Sequence, residues 1–374
     1  MVQPGCRIVG WGKCVPDKVV TNHDLARTLN TSDEWIRERT GIRERRIAAV
    51  TDSTSTLAVS AARVALGVAG LPPEELDLII VGTVTPDYPL PSTACLVQDA
   101  LGASSAAAFD LVAGCSGFVY GLTIASQMIQ ARSCRNVLVV GSDIMSRVTD
   151  ATDRNSRILF GDGAGAFVLQ GSDEPGGVLS SWLGSDGSGS KLLTIPAGGS
   201  RCPASPATVR EGLHYIQMSG REVFRFATQI LRRAVAEAVA RAGLGIADID
   251  LVIPHQANVR IIQSAARALD LPLEKFFVNI AKYGNTSAAS IPIAACDAVE
   301  EGRLKPGARV ILVGFGAGLT WGAVTAQWTA EPSPLSGDSV KRISHEKETD
   351  AEPRAWVDSS VDPLAAVPAA RTAN

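Results

Sequence analysis

The feature that most constrains what this chain can fold into is that it repeats itself. The stretch AARVALGVAGLPPEELDLII at 61–80 resembles AVAEAVARAGLGIADIDLVI at 234–253, an offset of 173 residues. The same offset pairs RNVLVVG (135–141) with ARVILVG (308–314), and GAFVLQ (165–170) echoes GAVTAQW (322–328) at a shorter one. Two segments matched in one register make chance similarity between Ala/Val-rich runs the weaker explanation. Strand-like apolar runs alternate with helical runs, the pattern of layered α/β folds. The expectation is two homologous α/β halves, over 1–175 and 176–330, related by a pseudo-twofold axis. Residues 331–374 are rich in Pro, Ser, Ala and charge without sustained periodicity, and read as a disordered tail.

The repeat bears on chemistry. Cys115, His255 and Asn285 are each expected at the C-terminal mouth of an apolar strand. Cys115 closes AAAFDLVAG and opens the helical run SGFVYGLTIASQMIQ. The small residues Gly114, Ser116 and Gly117 let the chain turn sharply and push the thiol outward, as in strained strand-to-helix nucleophile turns. A helix N-terminus offers free N–H groups and a positive dipole end, which favour thiolate over thiol. The helix is apolar almost all round, so the thiol should lie deep and be reached through a tunnel. A buried cysteine alone is more often inert core; an imidazole and a carboxamide in comparable positions point instead to covalent acyl chemistry. At the offset of 173 the cysteine elbow falls beside the Asn285 loop, so the site is expected across the pseudo-dyad.

Composition excludes several alternatives. The chain has 374 residues, 46% hydrophobic and 20% charged, which suits a large soluble protein with ample core. A formal net charge of −3 argues against nucleic acid as partner. No stretch approaches the roughly 18 apolar residues of a membrane span, and the N-terminal residues have no targeting character. Seven scattered cysteines without a CxxC pair indicate neither a disulfide framework nor a metal site, so a reducing cytoplasm is the simplest compartment.

Six strings together carry a resemblance: the cysteine elbow, PHQANVR (254–260), KYGNTSAAS (282–290), FGDGAGAFVL (160–169), GFGAGLTWG (314–322) and TSDEWIRERTGIRERRIA (31–48). In order and approximate spacing they resemble β-ketoacyl-[acyl-carrier-protein] synthase III over about residues 7–329. The resemblance implies a thiolase-like fold layered α-β-α-β-α and, usually, a homodimer. It implies decarboxylative condensation of an acyl-CoA with malonyl-ACP, the first condensation of dissociated (type II) fatty-acid synthesis, with no metal or redox cofactor.

Residue by residue, the resemblance makes Cys115 the acyl acceptor and His255 and Asn285 the groups holding the malonyl thioester carbonyl. It places the backbone N–H groups of Cys115 and Ala317 in an oxyanion hole. Trp35 and Arg154 match a pair that sandwiches the CoA adenine, and Thr31 and Arg39 match positions near the CoA phosphates. Asn258 matches the pantetheine tunnel and Phe315 the wall beside the nucleophile. Leu90 matches a gate that a neighbouring subunit places at the end of the acyl pocket; a leucine there suggests room for more than acetyl. Arg225, Arg260 and Arg267 match a basic surface for acyl carrier protein, with Arg260 and Arg267 seven apart on one helix face. Gly114 and Ser116 stand where other members often carry alanine.

Other readings compete. A related condensing enzyme of specialised metabolism could keep the same trio. A thiolase needs a second catalytic cysteine, for which Cys296, on an expected helix, is a poor candidate. Elongating ketosynthases generally use two histidines. A scaffold subunit would typically have lost the nucleophile, and a cysteine hydrolase fits the duplicated architecture badly.

Overall fold

The computed structural model describes residues 5–174 and 176–330; the expected tail, 331–374, lies outside the described residues. The first part of the chain runs β1 (Gly5–Cys14), β2 (Lys18–Thr21), α1 (Asn22–Ala26), α2 (Asp33–Thr40), β3 (Glu44–Ile47), α3 (Thr54–Ala69), β4 (Leu78–Gly82), α4 (Thr93–Leu101), β5 (Ala107–Leu111), α5 (Gly117–Gln130), β6 (Asn136–Ile144), α6 (Arg154–Arg157) and β7 (Asp162–Ser172). The second runs β8 (Gly177–Ser185), β9 (Leu193–Thr194), α7 (Pro206–Arg210), β10 (Gln217–Met218), α8 (Gly220–Arg241), β11 (Leu251–Pro254), α9 (Val259–Ala268), α10 (Ile280–Tyr283), α11 (Ser290–Glu300), β12 (Arg309–Gly316) and β13 (Thr320–Gln327).

The duplication is visible in strand register. In the first half β4 pairs in parallel with β6, Leu78 opposite Val137; in the second β11 pairs in parallel with β12, Leu251 opposite Val310. Both members of the second pair lie 173 residues after those of the first. The antiparallel neighbours follow suit, with Gly141 opposite Gly165 and Gly314 opposite Gly322. The shorter offset of the last segment therefore reflects a shorter connection after β12, not a change of pairing.

Strands β5-β4-β6-β7-β1 form one sheet and β8-β13-β12-β11 the other, joined into a single nine-stranded order by one parallel pair, Cys6 with Gly177. Helices α3 and α4 cover the outer face of the first sheet, α8 and α9 that of the second, and α5 and α11 lie between the two. This is the five-layered α-β-α-β-α thiolase-like arrangement.

Composition explains the layers. β4, β6 and β11 are buried throughout; β4 and β11 read as continuous apolar runs, as do Val137, Leu138, Val139 and Val140 of β6, the pattern of strands covered on both faces. α8 is amphipathic: Ala227, Ile230, Leu231, Ala234, Val235 and Ala238 recur at helical spacing and are buried. α5 and α11 have no polar face to offer water, and their Phe118, Leu122, Ile291 and Ala295 share one core with strands of both sheets. Each apolar side chain of this kind contributes about 1.5–3 kcal/mol on full burial, which makes the helix pair a principal bond between the halves. A partly buried ion pair also spans them, Lys13 of β1 reaching Asp297 of α11. Among the described residues no helix is long and apolar enough to cross a membrane.

Candidate active site

Because α5 and α11 are equivalent helices packed between the sheets, their N-termini open into one place. Cys115 precedes α5, Asn285 and Ser287 precede α11, and His255 leaves the end of β11. Cys115, His255, Asn285 and Phe315 line one cavity of about 410 Å³, whose outer part is walled by Trp35 and Arg260.

The elbow is built from backbone contacts. Gly114 turns the chain at φ +55°, and Ser116 and Gly117 N–H donate back to Ala113 and Gly114 O. Ser116 Oγ is 2.7 Å from Ala113 O and 2.9 Å from Thr320 Oγ1, tying the elbow to β13. The Gly316–Ala317 backbone lies directly against the elbow: a Cβ at Gly316 would press on the Cys115 amide nitrogen, and one at Gly114 would lie 2.5 Å from Ala317 N. The two N–H groups assigned to an oxyanion hole thus come from backbone segments in contact. The helix end is not the only influence on the thiol. Burial pushes the Cys115 thiol up to about 12, with the Asp143 charge adding to the rise and Ser287 opposing it. Desolvation of the buried sulfur thus works against the pull of the helix end toward thiolate.

His255 is held in three ways. Its backbone N–H donates to Val313 O (2.8 Å), continuing the β11–β12 ladder. Its ring meets Phe315 edge-on, centroids 5.3 Å apart. Its Nδ1 lies 2.6 Å from Ser290 Oγ. Ser290 Oγ also accepts from Gln256 N at 3.4 Å; with the serine hydroxyl donating to Nδ1, the ring hydrogen is on Nε2. Burial lowers the imidazole pKa to about 3, so His255 is neutral at physiological pH. Gln256 beside it is buried and fully bonded, Nε2 to Pro254 O and Phe277 O, Oε1 from Asn279 N.

Asn285 does not follow a strand, contrary to expectation; it follows α10. Its backbone is fixed by exchange with Leu159 and Gly161, Asn285 N to Leu159 O (2.8 Å) and Gly161 N to Asn285 O (3.0 Å). Its Oδ1 accepts from Ser287 N at 2.9 Å, which identifies the other terminal atom as the NH₂ donor. A neutral N–H donor from His255 and an N–H₂ donor from Asn285 therefore share the cavity with the thiol.

The remaining sequence assignments distribute unevenly. Trp35, Arg39 and Asn258 line the cavity, whereas Thr31 and Arg154 do not. The guanidinium groups of Arg39 and Arg154 both lie over the Trp35 ring, at 4.7 and 4.8 Å from its centroid. Thr31 Oγ1 is buried without a hydrogen-bond partner. Asn258 caps α9, its Oδ1 accepting from Arg260 N and its Nδ2 donating to Arg39 O. Arg225, Arg260 and Arg267 are exposed on the outer layer of α8 and α9. Leu90 is 87% exposed and far from lining the cavity of its own chain. Cys296 is buried in α11, away from the cavity. Ser290, Gln256 and the Leu159–Gly161 contacts were not singled out from the sequence, although Ser290 and Gln256 sit inside the strings that carried the resemblance.

Layered halves, a nucleophile elbow at the pseudo-dyad and two uncharged donors facing it define a thiolase-like condensing enzyme. Comparison with known proteins gives the family. The family model described as 3-oxoacyl-[acyl-carrier-protein (ACP)] synthase III matches residues 109–187, and that for its C-terminal part matches 239–328. The curated β-ketoacyl-[acyl-carrier-protein] synthase III of Symbiobacterium thermophilum is 54% identical over 86% of this chain and 97% of its own length. That of Roseiflexus sp. is 52% identical over 86% and 98%. The crystal structure of 3-oxoacyl-[acyl-carrier-protein] synthase III from Aquifex aeolicus superposes with a TM-score of 0.80 at 46% identity, covering 87% of this chain and all of that one. The chain belongs to the β-ketoacyl-[acyl-carrier-protein] synthase III family.

Proposed function

We propose that the protein condenses an acyl-CoA with malonyl-ACP, releasing CO₂ and giving a 3-oxoacyl-ACP that starts type II fatty-acid synthesis. The observation that carries this reading is the meeting of a buried thiol with two neutral N–H donors in one cavity. Cys115 Sγ takes the acyl group as a thioester, kept from water by its burial. Oxygen charge developing during acyl transfer is met by the N–H groups of Cys115 and Ala317. Loss of CO₂ from malonyl-ACP leaves an enolate oxygen, which His255 Nε2–H and Asn285 Nδ2–H stabilise without giving up a proton. An imidazole that burial keeps neutral suits such a donor. The enolate carbon then attacks the thioester, and Cys115 leaves as the new carbon–carbon bond forms. No metal or redox group is required.

Acyl-CoA enters past Trp35, Arg39, Arg154 and Asn258, with Thr31 nearby. Since both guanidinium groups lie on Trp35, stacking of the adenine against it involves displacing Arg154. Acyl carrier protein, an acidic partner, docks on Arg225, Arg260 and Arg267, of which Arg260 walls the outer part of the cavity. The active form is a homodimer. β5 is one of the two edges of the sheet order, and Tyr88, Leu90 and Val112, in the loops on either side of α4 and β5, are exposed apolar residues that a second copy would cover. The same pairing would let Leu90 reach the partner's acyl pocket. All seven cysteines are free, which suits the cytoplasm.

The test is intact-protein mass spectrometry after incubation with a mixture of acyl-CoAs, followed by malonyl-ACP. The expected result is one acyl adduct on Cys115 that is discharged as 3-oxoacyl-ACP, and none in Cys115→Ala. An adduct elsewhere, or one that water rather than malonyl-ACP removes, would refute the reading.

A further inference from the structure

A buried arginine beside the Asn285 loop has no part in the scheme above. Arg45, in β3, is 1% exposed. Burial, with the Arg157 charge, lowers its pKa only to about 10, so it is a cation at neutral pH. A buried charge ordinarily meets an opposite charge. This guanidinium meets uncharged oxygens instead. Nη1 donates to Val20 O (3.1 Å) and Asn22 Oδ1 (2.9 Å), and Nη2 to Asn22 Oδ1 (3.0 Å) and Ile158 O (2.8 Å). Its Nε is buried without a partner. Well-packed apolar side chains often match or better buried charges in stability, so the fork is better explained by what it holds.

What it holds is the segment that fixes the carboxamide. Ile158 O comes one residue before Leu159 O, which accepts from Asn285 N (2.8 Å), and Gly161 N donates to Asn285 O (3.0 Å). Phe160, between them, forms a parallel bridge with Asn285. The stem of Arg45 bears on the same place. Its Cβ lies 3.1 Å from where a Cβ on Gly161 would stand and 3.4 Å from where one on Gly284 would. Gly284, at φ +65°, is the turn by which the chain leaves α10 for Asn285. Just before β3, Arg43 N donates to Ala281 O of α10 (3.1 Å). Fork, stem and neighbouring backbone thus touch both segments that meet at Asn285. We infer that Arg45 is a positioning residue for the Asn285 carboxamide, acting through Ile158 O and the 159–161 backbone. The inference rests on the proposed role of Asn285 as a donor to the enolate. Asn285 Oδ1 is taken by Ser287 N, so its NH₂ can aim only where the backbone at 285 lets it. The Cys115 elbow is tied instead to Ala113, Gly114 and Thr320. Arg45 therefore serves the decarboxylation half of the reaction and not acylation.

The experiment compares Arg45→Met, Asn285→Ala and the double variant in the full-length protein. It reads acylation of Cys115 at saturating acyl-CoA by intact mass, and CO₂ release from malonyl-ACP in parallel. Methionine keeps an unbranched stem against Gly161 and Gly284 and removes the fork. In Arg45→Met, acylation should stay within about threefold of wild type while CO₂ release falls at least about tenfold, since a misplacement of about 1 Å costs on the order of 10²-fold. Because Arg45 acts through Asn285, the two losses should not multiply: the double variant should release CO₂ within about threefold of Asn285→Ala alone. Arg45→Lys, which keeps the charge without the fork, should recover part of the loss. CO₂ release by Arg45→Met within about threefold of wild type overturns the inference. So does an equal fall in both half-reactions, or a double variant in which the losses multiply, since either would make the arginine merely structural. Asn285→Ala releasing CO₂ at the wild-type rate overturns instead the donor role of Asn285. If Arg45→Met does not fold, Arg45→Lys and its double variant with Asn285→Ala decide by the same comparisons.

Discussion

Gly316→Ala tests the claim that the oxyanion donors are set by two backbone segments in direct contact. Gly316 is not among the positive-φ glycines, so a side chain there is not strained by a left-handed backbone. Its added methyl would press on the Cys115 amide nitrogen, with Gly114 C at 3.1 Å and Cys115 Cα at 3.2 Å. All these are backbone atoms of the elbow, so no side chain can swing aside. The end of β12 and the elbow must separate by several tenths of an ångström to about 1 Å, and misplacement on that scale is worth roughly 10²-fold in rate. Loss of one oxyanion donor gives a similar figure, about 10²–10³-fold. Acylation of Cys115 by an acyl-CoA should therefore fall about 10²-fold, read by quenched-flow intact mass. Overpacking of this kind costs about 1–3 kcal/mol of stability, so the melting temperature should drop without loss of the folded state. Gly187→Ala is the control, because its Cβ would meet nothing within 4 Å; neither rate nor melting temperature should change. A folded Gly316→Ala protein that acylates within threefold of wild type would show that the contact does not set the donors.

Three further outcomes are expected. Asn285→Ala should still acylate Cys115 but release CO₂ from malonyl-ACP on the order of 10²-fold more slowly; CO₂ release at the wild-type rate would make the carboxamide structural. Leu90→Phe should lower the ratio of turnover on branched four- or five-carbon donors to turnover on acetyl-CoA, and an unchanged ratio would remove Leu90 from the pocket. His255 has a folded pKa of about 3, below its unfolded value of about 6.5. Its contribution to stability is thus complete above about pH 6.5 and is lost as pH falls toward 3, a few kcal/mol at most. Thermal melts of His255→Gln should fall less steeply than wild type between pH 6.5 and 4, and parallel curves would count against the buried neutral imidazole.

The sequence exposes the duplication because register is a local property: Leu78, Val137, Leu251 and Val310 keep their spacing, and so do their pairings. It exposes His255 because it follows β11, an unbroken apolar run, and Cys115 because small residues surround it between a strand and a helix. Asn285 is misplaced because FFVN, the counterpart of β5, looks like a strand but keeps only one bridge, Val252 with Phe276. The chain then turns into α10, and the carboxamide is fixed by Leu159 and Gly161 instead. The depth of Cys115 was legible in the apolar helix that follows it, and the thiol is indeed buried. Ser290 and Asp143 were missed as partners because their contacts to His255 and Ala288 span 35 and 145 residues.

The central position of α5 and α11 has a consequence for where motion is permitted. In many enzymes the reacting groups sit on segments that open easily, and amide hydrogen exchange is fast there. Here the two helices that aim the nucleophile and the carboxamide are covered by a sheet on either side, so their amides can meet solvent only when the halves come apart. The slowest-exchanging amides of the molecule should belong to its catalytic centre, while the Trp35 and Arg260 rim exchanges quickly. Substrate traffic and tolerance of different acyl chains are then left to the rim, and the chemistry proceeds in the least yielding part of the protein.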